Sequence, residues 1–184
     1  MMSKTDWLSI AKFGSIEDRT RLMDRIHIVG DAPKWVVLRN SVKGFFAEMV
    51  VEAWMTDNLE HTPAPDNDVI FEKGDAKQPV WGPDGTVRIF GGDYTYDIKS
   101  TISPDSDPDG DLGFKNTHNA DFVWWHHNHT ITILARVSSD DCYSPGTATF
   151  YTKLADYDAL LYENRATRQL QKRFEELTND IQHI

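Results

Sequence analysis

Histidines are concentrated in one short stretch of the sequence. Of the 7 histidines in the chain, those between residues 118 and 129 are His118, His126, His127 and His129. The apolar pattern predicts one long strand over residues 122–137, and side chains alternate between the two faces of a strand. His127 and His129 then lie on one otherwise apolar face, about 7 Å apart. Burying two imidazoles without partners is unfavourable, so the spacing predicts a carboxylate, a tyrosine, a metal or a ligand beside them.

Three kinds of chemistry fit this pair. As catalytic residues, His127 and His129 would divide the work, one acting as general base and the other orienting a substrate. As metal ligands, they would offer two nitrogens from one strand, with His118 as the third ligand. Other candidates for that third position are Asp97, Glu48 and Glu52. The alternative without chemistry is a pair of histidines hydrogen-bonded in the core or at a subunit contact.

Aromatic residues are available to enclose such a site. We expect Trp125, Tyr94, Tyr96 and Phe150 to bind the substrate as the walls of an apolar pocket. An imidazole pair in an apolar cavity suits proton transfer at carbon, as in isomerisation, dehydration or cyclisation of a small hydrophobic molecule.

A second motif lies in an acidic stretch. Asp105, Asp107 and Asp109 alternate before Gly110, as in the first half of a calcium-binding loop. The twelfth position of such a loop is Asn116, where a bidentate glutamate is expected. The stretch therefore predicts either a weak calcium site or a solvated acidic loop.

The elements that position these residues form three zones of a single domain, residues 1–184. Residues 15–57 read as helical because apolar residues recur at three- and four-residue steps. Within this zone, residues 45–55 also alternate, so a hairpin is the rival interpretation. Residues 58–154 read as antiparallel sheet, and residues 155–184 as a C-terminal helix.

Turn residues divide the sheet zone. Gly82 to Gly85 and Gly91 to Asp93 predict two turns. A strand is expected over residues 94–102, a long polar loop over 103–119, and a last strand over 148–154. The predicted fold class is α+β, with N-terminal helices, an antiparallel curved sheet or half-open barrel of about five to six strands, and a C-terminal helix.

The predicted C-terminal helix carries an apolar stripe. Leu170, Phe174, Leu177 and Ile181 are spaced as in a short coiled-coil seam. This stripe predicts either packing on the sheet of the same chain or a homo-oligomer contact.

Composition limits the possible partners and the compartment. The 29 acidic residues outnumber the 19 basic ones and give a net charge of −10, which argues against nucleic acid and anionic membranes as partners. No apolar run reaches the ~18 residues of a transmembrane helix. A single cysteine excludes a disulfide framework, and we expect a cytoplasmic protein. Phosphate-binding and dinucleotide-binding loops are absent from the sequence, so we expect no cofactor, with a divalent metal as the alternative.

The sequence therefore predicts a small soluble enzyme, a cofactor-independent lyase or isomerase that acts on a small hydrophobic or aromatic molecule by histidine-mediated proton transfer. The first alternative is a non-catalytic oligomeric protein, such as a shell, virion or scaffold subunit. The second is a histidine-liganded metal enzyme of the β-barrel type.

Overall fold

The computed structural model describes residues 34–64, 82–100, 112–115, 117–137 and 148–159. The chain divides into two compact units, and one of them, made of Ala47–Ala64 and Trp81–Glu163, contains every described strand. In the other unit, the described residues are 34–46, the first half of a helix. The prediction of a single domain stays a prediction.

The described helix, α1, spans Lys34–Asn58. Its second half buries two adjacent rows of apolar side chains at four-residue spacing, which form one face of a helix. They are Phe46, Ala47, Val50, Val51, Trp54 and Met55. The helix ends where the Asn58 side-chain amide donates a hydrogen bond to the Trp54 carbonyl oxygen at 2.8 Å. The helical interpretation of this segment is confirmed, and the rival hairpin is wrong. The predicted helical residues 15–33 lie outside the described residues.

The seven strands in the described part of the chain form one mixed sheet in the order β1-β2-β3-β5-β6-β7-β4. Their bounds are β1 Glu60–Pro63, β2 Gly85–Ile89, β3 Gly92–Lys99, β4 Leu112–Lys115, β5 Phe122–His127, β6 Thr130–Arg136 and β7 Ala148–Asp158. Neighbours pair antiparallel except β3 and β5, which run parallel. The prediction of an antiparallel sheet or half-open barrel of five to six strands is therefore wrong.

A reciprocal set of hydrogen bonds fixes the parallel pair. The Asp121 carboxylate accepts bonds from the backbone N–H and the hydroxyl of Thr95, at 2.9 and 2.8 Å. The Asp121 backbone N–H donates in turn to the Thr95 hydroxyl at 3.0 Å. These three bonds hold the start of β5 beside the middle of β3.

Three local predictions also need correction. The predicted strand 122–137 is two strands, because Asn128 and His129 form a turn with φ angles of 46° and 65°. Two consecutive left-handed residues are the geometry of a two-residue hairpin turn.

Part of the predicted loop 103–119 is β4, which pairs with β7. The predicted C-terminal helix 155–184 is wrong at its start, because β7 continues to Asp158, and its remainder from residue 160 lies outside the described residues.

The sheet curves strongly. β6 and β7 separate β4 from β5, so a flat sheet with about 4.8 Å between strands would place the two about 14 Å apart. The ring centroids of Phe114 on β4 and Trp125 on β5 are 6.3 Å apart. The face that carries both rings is therefore concave. We call this the concave face, and its apolar residues are Leu112, Phe114, Val123, Trp125, Leu134 and Tyr151.

The second half of α1 covers the opposite face. The Trp54 ring lies 5.4 Å from that of Trp124 and 4.4 Å from that of Tyr157. Trp124 is fully buried by this packing. The described part of the chain contains no helix of the length and apolarity needed to cross a membrane.

Candidate functional site

The structure separates the two histidines on which the sequence prediction depends. His127 ends β5, while His129 lies in the following turn. Both side chains are exposed, and the buried imidazole of the stretch is that of His126, which is 9% exposed. The prediction that His127 and His129 share a buried strand face is wrong, because the turn ends the alternation after residue 127. A chemical role for either imidazole stays a prediction.

The proposed pocket walls do not meet in one place. Trp125 lies on the concave face, and its ring stacks on that of His127 with centroids 4.6 Å apart and planes 14° apart. Tyr96 pairs in register with Phe122, whose side chain lies on the face of the sheet that α1 covers. Tyr96 therefore projects to that face, and so does Tyr94, two residues earlier on the same strand. Phe150 is 46% exposed. Of the four aromatic residues, only Trp125 lies among the concave-face core.

The predicted metal ligands are also dispersed. Among the residues that the structure describes, no three His, Cys, Asp or Glu side chains are grouped as a metal site requires. Asp105, Asp107 and Asp109, the predicted calcium ligands, lie outside the described residues. His118 lies in a turn before β5. Metal binding therefore stays a prediction.

A different pair of charged groups lies at the centre of the concave face. Asp97 and Lys99 alternate along β3 and pair in register with Val123 and Trp125, which places both on this face. The Lys99 ammonium Nζ is 2.5 Å from Asp97 Oδ2, and the two side chains are 25% and 1% exposed. The carboxylate is thus almost completely buried, while its lysine partner reaches solvent.

Burial dominates the ionisation of Asp97, whereas the neighbouring carboxylates dominate that of Lys99. It raises the pKa of Asp97 to about 7, and the repulsion from Asp84 adds to this, although the charge of Lys99 acts in the opposite direction. Burial alone would lower the pKa of Lys99, but Asp97, Asp84 and Glu48 together outweigh it and raise that pKa above its usual range. Asp97 therefore titrates near neutral pH beside a lysine that stays charged.

The backbone around Asp97 is held in place by the start of β2. The Asp84 carboxylate accepts a hydrogen bond from the backbone N–H of Ile98 at 2.7 Å. The Asp84 backbone N–H donates to the Tyr96 carbonyl oxygen at 2.9 Å. These two bonds bracket Asp97 and fix its position on the strand.

A strained turn forms another border of the site. His118 and Asn119 both have positive φ, 50° and 54°, and the Ala120 N–H donates to the Thr117 carbonyl at 3.0 Å. The Tyr151 hydroxyl donates to Thr117 Oγ1 at 2.9 Å or to the Ala120 carbonyl at 3.1 Å. This contact ties the turn to the concave face. Burial and then the charge of Lys99 lower the pKa of His118.

Trp125 completes the site with a donor that lacks a partner. Its indole Nε1 is buried and has no hydrogen-bond partner among the described residues. Trp125 pairs in register with Lys99, so the two side chains leave neighbouring strands from adjacent positions on the concave face. A buried donor without an acceptor is unfavourable by about 1–3 kcal/mol, and no described residue competes with a ligand oxygen for this N–H.

Sequence reasoning placed Asp97 only among possible third metal ligands and did not select Lys99. The signal that was available is the Asp-x-Lys spacing itself, which puts opposite charges on one face of a strand. The burial of that face follows from the approach of β4, a long-range contact that the local pattern does not contain.

No known family, curated protein or solved structure matches this chain.

Proposed function

We propose that this chain is an enzyme that transfers a proton at a carbon atom of a small hydrophobic or aromatic molecule, with Asp97 as the base. The reaction class is the one that the sequence predicts, but the proposed base lies on the concave face and is not one of the two histidines. The observation that carries the proposal is the Asp97 carboxylate, 1% exposed and 2.5 Å from the Lys99 ammonium. An ion pair of this kind within an apolar cluster is typical of acid–base sites.

The roles follow from position and charge. Asp97, with a pKa of about 7, is basic enough to accept a proton from carbon and acidic enough to return it near neutral pH. Lys99 lies beside it and stabilises negative charge that develops on the substrate. The apolar residues around Asp97 shield its carboxylate from water, which strengthens its interactions. The proposed chemistry uses no cofactor.

A chain with one cysteine fits the reducing conditions of the cytoplasm, where we propose that it acts.

Deuterium exchange tests this role without knowledge of the natural substrate. A panel of small carbon acids, comprising aryl ketones, aryl esters and aryl nitriles, is incubated with the protein in D₂O, and loss of the α-proton signal is followed by NMR. We expect the wild-type protein to accelerate exchange of at least one compound, with a rate that rises as pH increases through about 7, because the carboxylate is the active form.

The matched variants are Asp97→Asn and Asp93→Asn. Asp93 lies on the same strand, four residues earlier, and is fully exposed. Asp97→Asn should lower the exchange rate at least 100-fold, in the range typical of a general base, while Asp93→Asn should leave it unchanged. A wild-type rate equal to that of Asp97→Asn for every compound would refute the proposal.

A role in assembly is the second candidate. Val137 and Phe150 are 51% and 46% exposed, and they are neighbours because the Val137 N–H donates to the Phe150 carbonyl at 3.0 Å. Exposed apolar neighbours of this kind are typical of protein contacts. If they form a contact between copies of this chain, Phe150→Ser will lower the mass measured by sedimentation. A monomeric wild-type protein would exclude this role.

A further inference from the structure

The concave face carries two hydrogen-bond donors on residues that are register partners. Lys99 contributes an ammonium and Trp125 an indole N–H, on neighbouring strands and in register. The ammonium has Asp97 beside it, whereas the indole Nε1 has no acceptor among the described residues. Two donors whose side chains start from adjacent positions beside an apolar cluster can converge on one oxygen atom of a ligand.

Charge selects the kind of oxygen. Two carboxylates are held close to Lys99: Asp97 lies 2.5 Å from its ammonium, and Asp84 accepts a bond from the backbone N–H of Ile98, between Asp97 and Lys99. A ligand carboxylate would add a third negative charge beside a single ammonium. A carbonyl oxygen accepts the same hydrogen bonds without that repulsion.

From this geometry we infer that the site binds neutral carbonyl compounds with an apolar or aromatic body, the carbonyl oxygen accepting hydrogen bonds from Trp125 Nε1 and Lys99 Nζ. The inference rests on the proposed function and names its substrate class. The aromatic body would pack on the apolar residues of the concave face, such as Phe114, whose ring is 6.3 Å from that of Trp125, and Val123, the register partner of Asp97.

The same arrangement completes the proton transfer. The Asp97 carboxylate takes a proton from the carbon next to the carbonyl, so the C–H bond breaks and an O–H bond forms on Asp97. The electron pair of the broken bond moves onto the carbonyl oxygen, giving an enolate that the two donors stabilise. Return of the proton from Asp97 to carbon restores the ketone or gives its isomer, and no oxidant or reductant is needed.

Phenylacetone and phenylacetate test the inference, because they share a skeleton and differ in charge. Binding of each is measured by calorimetry to the wild-type protein at pH 7.5. We expect phenylacetone to bind at least tenfold more tightly than phenylacetate. Equal or tighter binding of phenylacetate, or no detectable binding of phenylacetone, would overturn the inference.

Two tryptophan variants identify the donor. Trp125→Phe removes the indole N–H and keeps an aromatic ring, and we expect it to weaken phenylacetone binding at least fivefold. Trp124→Phe is the matched control, since Trp124 Nε1 also lacks a partner among the described residues but faces the tryptophan of α1. It should leave the affinity unchanged, and equal effects of the two substitutions would contradict the inference.

A measurement on the unmodified protein covers the case in which a variant does not fold. The indole N–H signal of Trp125 should move downfield in a nitrogen–proton correlation spectrum when phenylacetone is added. An unchanged signal at saturation would overturn the inference. The inference and the proposed function can fail separately. Exchange of the α-proton that depends on Asp97 can occur without a bond from Trp125, and a ketone can bind without exchange.

Discussion

Burial affects the ionisation of Asp97 more strongly than its contact with Lys99 does. The carboxylate is 1% exposed, and its pKa is raised even though an ammonium lies 2.5 Å away. The loss of hydration of the charged form is therefore larger than the attraction that replaces part of it. At the residue scale, the Asp97 carboxylate therefore binds a proton more readily in the folded chain than in the unfolded one.

The consequence is a specific dependence of stability on pH. The folded pKa of Asp97 is about 7 against a reference value of 3.8, so the folded state binds more protons between these pH values. The contribution of Asp97 to the free energy of unfolding therefore falls as pH rises from 3.8 to about 7. We expect the loss to be on the order of a few kcal/mol, measured by urea denaturation at a series of pH values.

Substitution isolates this contribution. In Asp97→Asn, the free energy of unfolding should fall much less between pH 3.8 and about pH 7 than it does in the wild-type protein. The pKa of Asp93 is lowered by its hydrogen bond from Arg88, and this residue is fully exposed, so Asp93→Asn should leave the decline in place. A decline that persists in Asp97→Asn would show that another group causes it.

Gly85 is required where β2 begins. A Cβ at this position would lie 2.5 Å from the Thr62 carbonyl oxygen and 2.7 Å from the Tyr96 ring. Both atoms belong to neighbouring strands, so neither can move without disturbing the sheet. We expect Gly85→Ala to destabilise the fold by about 1–3 kcal/mol, the usual range for overpacking, in thermal or urea denaturation.

Gly44 provides the matched substitution. It lies within α1, and a Cβ there would meet nothing within 4 Å. Gly44→Ala should stabilise the helix by up to about 1 kcal/mol. If the two substitutions change stability in the same direction, the steric argument for Gly85 is wrong.

At the scale of elements, the β5–β6 turn decides which imidazoles are buried. Its two residues, Asn128 and His129, have positive φ, and asparagine tolerates that conformation far better than most residues. Position 129 is the less suitable of the two, since glycine is preferred at the second position of this turn type.

Two substitutions at position 129 test the turn. His129→Gly should be more stable than His129→Val by at least about 1–2 kcal/mol, because only the β-branched residue is strained at a φ of 65°. The comparison is made between the two variants by urea denaturation, so the loss of the imidazole is common to both. Equal stability would mean that the turn has another conformation in solution.

The sequence contained enough information for some elements and too little for others. The helix was predictable because its apolar residues recur at a period that strands do not share. The β5–β6 turn was missed because Asn128-His129 lacks a glycine and apolar alternation continues on both sides. The last residues of β7 are polar, and the Asp156 carboxylate is bound there by the Thr132 hydroxyl and the Lys153 ammonium. Such partners are known only after the strands are paired.

At the scale of the whole sheet, curvature creates the candidate site. The edge strand β4 approaches β5 through Phe114, whose ring contacts those of Trp125 and Tyr151 at 6.3 and 6.2 Å. Phe114 is 3% exposed. This packing could not be predicted from the sequence, because residues 112–115 carry no strand signal long enough to separate them from a loop.

Loss of the Phe114 ring should therefore affect both stability and the environment of Trp125. Phe114→Ala should destabilise the fold by about 3–5 kcal/mol and shift tryptophan fluorescence to longer wavelength as Trp125 becomes hydrated. Phe90→Ala is the control, since Phe90 is 72% exposed and its loss should change neither property appreciably. An unshifted emission spectrum in a folded Phe114→Ala protein would mean that β4 does not shield Trp125.

The bonds between Thr95 and Asp121 join residues that are 26 positions apart, whereas β5 and β6 are joined by a two-residue turn. Closing a long loop is slower and entropically less favourable than forming a short hairpin. The β5–β6 hairpin should therefore assemble early and dock against β3 afterwards. In native-state hydrogen exchange, the amides between β3 and β5 should then open together, as the seam along which this sheet first comes apart.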